Sequence, residues 1–132
     1  MKYYLLFTLG LTVLISSCFH DYKNDLLSDD KNKIMKACYK LGEARDTSAV
    51  KFLFTKILDP RISNNLRFKG MSVSYCRLTA LSKIAGLNPE RKIKQYEVDT
   101  LAVYYFLDWA VKEHYLKDKD EVDIKYFKDT SK

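Results

Sequence analysis

Apolar residues fall along the chain in one almost unbroken run followed by four periodic stripes. The run, Tyr3 to Ile15, carries no charge and follows a short positive start at Met1-Lys2. It is too short for a bilayer span, which needs about 20 apolar residues. It predicts the hydrophobic segment of a secretory signal. The first stripe is Ile34, Ala37, Cys38 and Leu41, at the i, i+3, i+4, i+7 spacing of an amphipathic helix. Asp29 or Asp30 is the expected cap, and Gly42 lies near the end. The second is Val50, Leu53, Phe54, Ile57 and Leu58, which predicts a helix capped by Asp46 or Thr47 and stopped at Asp59-Pro60. The third, Val73, Cys76, Ala80, Ile84 and Leu87 with Leu81 on its flank, ends at Gly86 and Asn88-Pro89. The fourth helix runs from about Val98 to Leu116. Its stripe is Val103, Phe106, Leu107, Ala110 and Val111, continuing to His114.

These stripes pair into two antiparallel helical hairpins that repeat each other. "DTSAV" at Asp46–Val50 recurs as "DTLAV" at Asp99–Val103, and the apolar residues beyond align without gaps. Ala37 and Leu41 fall on Ala80 and Ile84 at a shorter offset, the difference being an insertion around "NPERKIKQYE". A helix-turn-helix period in the forties is the signature of HEAT or armadillo arrays. The stretch "ACYKLGEARDTSAVKFLFTKILDP" resembles a HEAT unit. The resemblance implies an all-α fold, a short HEAT-like array of two hairpins and four main helices, serving as a protein-interaction surface. A generic four-helix bundle is the plainer alternative.

The apolar run ends in Ile15-Ser16-Ser17-Cys18, which resembles the lipobox of bacterial lipoproteins. The resemblance implies cleavage before Cys18 and acyl chains on its thiol and new amino group, the chain's link to the membrane. More than one chain is needed for durable anchoring, at about 0.8 kcal/mol per buried CH₂. Phe19, rather than Asp, follows the cysteine, which in enteric-type sorting favours the outer over the inner membrane. The expected organisation is a signal peptide over 1–17, a tether over 18–30, a helical domain over 31–117 and a charged tail over 118–132. The tail either caps the last helix pair or stays free, with a weak alternation of Val122, Ile124 and Tyr126.

Composition adjusts this picture only slightly. With 47% hydrophobic and 30% charged residues among 132, the chain is ordinary globular material. Four glycines and two prolines are too few for the turns of an all-β fold. The net charge of +6 is interspersed, as in "LKDKDEVDIKYFKD", and indicates a solvated surface. Nucleic acid is not an expected partner of an exported chain.

No catalytic or metal-binding spacing stands out. His20 and His114 are the two histidines, and no Cys-x2-Cys, His-x3-His or phosphate loop occurs. The expectation is a non-enzyme without cofactor or metal. Cys38 and Cys76 lie on the apolar sides of corresponding helices, where they form a disulfide or remain buried thiols. Ten Tyr and seven Phe are many for this size. Tyr104, Tyr105 and Trp109, with Arg61 and Arg67 of the "RISNNLRFKG" loop, are the candidate partner-binding residues, since Tyr, Trp and Arg dominate binding hot spots. The alternative is that the rings only widen the core. The expected function is binding an envelope protein, as an immunity or inhibitor protein. Alternatives are an assembly accessory of an envelope complex or a small-ligand module.

Overall fold

Short polar side chains start the three long helices. Asp30 accepts the Asn32 amide at 2.8 Å, Ser72 the Tyr75 amide at 3.0 Å, and Asp99 the Ala102 amide at 3.1 Å. Each satisfies a backbone donor that the first helical turn leaves free. The computed structural model describes residues 20–122. Within them lie α1 (Tyr22–Asp25), α2 (Lys31–Glu43), α3 (Val50–Phe54), α4 (Val73–Ala85) and α5 (Thr100–Lys112). Among the described residues the only strand-like pairing is one antiparallel bridge, Ile62 with Ser72. The fold is all-α. The leader, Cys18, Ile124 and Tyr126 lie outside the described residues.

α4 is the central element. It packs most extensively on α2 and also touches α3 and α5. The stripes read from the sequence are the buried ones: Ile34, Cys38 and Leu41 on α2, Val73, Ala80 and Leu81 on α4, and Val103, Phe106 and Leu107 on α5. α2 and α4 come close enough that a Cβ on Gly42 would stand 3.1 Å from the Ala80 Cα. Gly86, at φ 66°, closes α4 in the left-handed conformation that ends many helices.

The second predicted helix is cut short. Residues Thr47–Ala49 form a 3-10 turn and α3 spans only Val50–Phe54, after which Thr55 is extended and Lys56 has φ 50°. The cause lies on α4. Arg77 is 1% exposed, and its guanidinium donates to the Phe52 and Leu53 carbonyls at 3.1 and 3.4 Å. A continuing α-helix would give those carbonyls to the amides of Lys56 and Ile57. Ile57 instead donates to the Phe54 carbonyl at 3.2 Å and is buried all the same.

Arg77 also donates to the Leu26 carbonyl at 2.7 Å. The expected tether is therefore partly a packed element. Its residues 22–25 form α1, which rests on α2, and Leu26 is 1% exposed in the core. Of the two expectations for the tail, packed or free, its start as far as Val122 is packed: Lys51 pairs with Glu121 at 2.5 Å, and Val122 packs against the core. At the end of α5 the helix stops at Lys112, so His114 is exposed with φ 62° instead of extending the apolar stripe.

Candidate functional site

The helical register of α5 sorts its aromatic residues. Phe106 and Leu107 face the core, while Tyr105, Asp108, Trp109 and Lys112 recur at i, i+3, i+4 and i+7 along an adjacent strip. That strip and the end of α4 form the walls of an open cleft of about 610 Å³. Ile84, Ala85 and Leu87 make the α4 side. Leu87 belongs to the expected stripe, but it follows Gly86 and is turned out to the cleft mouth, 39% exposed.

Tyr115 completes the cleft, because the chain doubles back after α5. The Tyr115 amide donates to the Ala110 carbonyl at 2.8 Å, and its ring meets Trp109 with centroids 5.2 Å apart, tilted by 40°. The Tyr105 hydroxyl donates to the Asn88 carbonyl at 3.3 Å. Asp108 pairs with Lys119, leaving Lys112 and Glu113 as the other charges at the rim. Partly buried rings inside a charged rim suit the docking of an apolar or aromatic group. Among the described residues no histidine, cysteine, serine or threonine lines the cleft.

The five residues singled out in the sequence do not converge. Tyr105 and Trp109 share the cleft, whereas Tyr104 is 51% exposed and does not line it. Arg61 ties the loop to the domain. It binds the Asp59 carboxylate, donates to the Asp29 carbonyl at 2.7 Å, and its own carbonyl accepts the Val73 amide. Asp59 raises the Arg61 pKa through that hydrogen bond, against a smaller opposing effect of burial. Arg67 stacks over Tyr39 at 4.9 Å and Phe68 at 5.6 Å, beside a second, smaller cavity between α2 and α4. Lys83 stands over the same Tyr39 ring at 5.2 Å and pairs with Glu43. Cys38 and Cys76 border that second cavity as buried, free thiols, with no disulfide between them in this structure.

Among the described residues no three His, Cys, Asp or Glu side chains gather as metal ligands, and no helix is long and apolar enough to cross a membrane.

No protein-family model matches the chain, and no solved structure matches it. Over 90 residues the chain is 32% identical to UvrABC system protein C of Helicobacter pylori (strain HPAG1). The match takes in 68% of this chain and 15% of that protein. The chain thus spans a small part of the relative's length.

Proposed function

We propose that the chain is a lipid-anchored protein of the bacterial envelope whose helical domain binds a protein partner through the cleft between α4 and α5. The observation that carries this reading is the grouping of Tyr105, Trp109 and Tyr115 with Leu87 in one open, rimmed cleft. Residues of these types in a desolvated pocket provide most of the energy of many interfaces. Ile15-Ser16-Ser17-Cys18 supports lipidation at Cys18, and Phe19 favours the outer membrane. A HEAT-like arrangement is supported by the recurrence of Asp-Thr at Asp46 and Asp99, each aspartate capping the helical turn that follows it, and by the close packing of α2 on α4. An immunity or inhibitor protein is one form such a binder takes, and an assembly accessory is another. A match to 15% of UvrABC system protein C carries no role over from that protein.

The test has two arms. Metabolic labelling with an alkyne fatty acid should mark the wild-type chain and leave Cys18→Ala unmarked; equal labelling of both removes the anchoring half. Capture from envelope extracts should return the same partner with wild type and lose it about 30-fold with Trp109→Ala, the equivalent of a 2 kcal/mol hot spot. Undiminished capture by a folded Trp109→Ala chain rejects the cleft. The cleft volume also lies in the range of small-molecule sites. A ligand that co-purifies and is released by Trp109→Ala would favour that second reading.

A further inference from the structure

The second cavity, about 220 Å³ between α2 and α4, shares no lining residue with the α4–α5 cleft. Its walls divide by exposure. Met35, Cys38, Phe68, Cys76 and Ala80 are buried, and Met71 is partly so. Thioethers, thiols and a phenyl ring make this part apolar, and its two unbranched methionines let it adapt in shape. Tyr39 and Arg67 are exposed, and Thr79 and Lys83 are partly exposed, so the polar end of the cavity is its mouth.

That mouth is cationic. The Arg67 guanidinium lies 4.9 Å from the Tyr39 ring centroid, and the Lys83 ammonium lies 5.2 Å from the same centroid. The two cations are therefore no more than about 10 Å apart. Arg67 also stands 5.6 Å from the Phe68 centroid, so two rings hold its planar fork in place. Arg61 and Arg91 bind Asp59 and Asp99, whereas the Arg67 guanidinium meets no carboxylate among the described residues. Lys83 pairs with Glu43, which is not part of the lining, and no carboxylate among the described residues lines the cavity. The mouth is left with one more cation than anion. Tyr39 and Thr79 add hydroxyls able to donate to an oxyanion.

We propose that this cavity binds a free medium-chain monocarboxylate, its apolar chain among the buried side chains and its carboxylate at the mouth with Arg67 and Lys83. Charge sets the head group. A guanidinium fork matches a carboxylate with two parallel hydrogen bonds, and Lys83 adds a second point charge. Volume sets the chain. At about 30 Å³ for each water-sized group, the cavity has room for about seven carbons, the apolar tail of octanoate. A bare inorganic anion would leave the apolar walls unfilled, and an uncharged chain would leave Arg67 without a counter-ion.

The chain has three methionines, two of them in this lining, so methyl NMR of the reduced full chain carrying ¹³C-methionine reads the site directly. Met35→Leu and Met71→Leu assign the signals. Titration with sodium octanoate should shift the Met35 and Met71 methyls saturably. Hexanoate should bind about 10-fold more weakly, for the loss of two CH₂ groups. Octanamide, as long but uncharged, should bind at least about 5-fold more weakly than octanoate. Arg67→Ala should weaken octanoate about 5-fold and leave octanamide unchanged. Lys33→Gln removes an exposed charge elsewhere on α2 and should leave octanoate binding as in the wild type. Met35 and Met71 methyls that octanoate does not move overturn the proposal. So does equal binding of octanoate and octanamide by the wild type, a result that needs no variant to fold. An Arg67→Ala chain that keeps its helical circular dichroism and its full octanoate affinity overturns it too, as does an equal loss in Lys33→Gln.

Discussion

Asp99 does two jobs from a position that is 1% exposed. It caps α5, and it gathers the insertion between α4 and α5 by accepting the Lys94 amide at 3.1 Å and the Arg91 guanidinium at 2.5 Å. Burial pushes its pKa up, but the amides of Ala102 and Lys94 and the Arg91 guanidinium together hold the carboxyl below the ordinary carboxylate range. The unfolded chain then takes up a proton at a higher pH than the folded one. The stability from this carboxylate is complete above the unfolded value near 3.9 and is lost as pH falls through the folded value. Urea midpoints at a series of pH values should show Asp99→Asn costing about 1 kcal/mol at pH 7, with the gap to wild type closing as pH drops below about 4. A gap that is constant with pH would mean the charge is not what Asp99 contributes. The pattern alone starts the fourth helix near Val98 and names no cap for it, although the Asp-Thr pair at Asp46 recurs at Asp99. The arginine and amide that Asp99 collects were not legible, since they come from a stretch without periodicity. Arg77 was missed for another reason. It stands four residues after Val73 and three before Ala80, inside the apolar stripe, and that position was the available signal of a buried guanidinium.

At the scale of elements, the helices with thirteen residues were those the sequence located well. α2, α4 and α5 each repeat their apolar spacing over more than three turns, enough for periodicity to fix both the face and the ends within a few residues. α3 carries the same spacing, but its helix is halted where Arg77 takes two carbonyls, a long-range contact that no local pattern encodes. α1 has four residues, too few to show a period. The closest joint between elements is Gly42 against Ala80, where the obstacle is the Ala80 backbone and cannot rotate away. Gly→Ala in a helix ordinarily gains about 1 kcal/mol from propensity. Here overpacking of about 1–3 kcal/mol opposes it. Gly42→Ala should therefore lower unfolding free energy by about 1 kcal/mol, and Gly42→Val by more, as read from urea titrations. A stabilised Gly42→Ala chain would show that α2 and α4 can part at no cost. Of the candidate site, Tyr105 and Trp109 were legible as a pair on one helix. Tyr115 and Leu87 join them only because two chain reversals, at Gly86 and at His114, turn them toward the same cleft.

For the molecule as a whole, α4 is the hub and the segment over residues 22–26 is one of its spokes. Leu26 fills the core from that segment while its carbonyl holds Arg77. Leu26→Ala should cost about 3 kcal/mol, the magnitude of a buried leucine truncation, and should reduce amide protection across α3 and α4 as well as α1. A cost below about 0.5 kcal/mol would place the segment outside the cooperative unit, as ordinary surface substitutions are. The sequence pattern put a tether here, because a single buried leucine among Asp, Asn, Lys and Ser has no periodic signature. The packing of this segment sets the reach of the anchored protein. On the proposed lipidation, only Phe19, His20 and Asp21 separate Cys18 from the first packed turn, and four Cα steps extend at most about 14 Å. A leash of that length keeps the domain against the bilayer headgroups and leaves it little freedom to reorient. Partners would have to come to the membrane plane to meet it, and lengthening the leash with a Gly-Ser insert after Phe19 would widen the shell in which they are met.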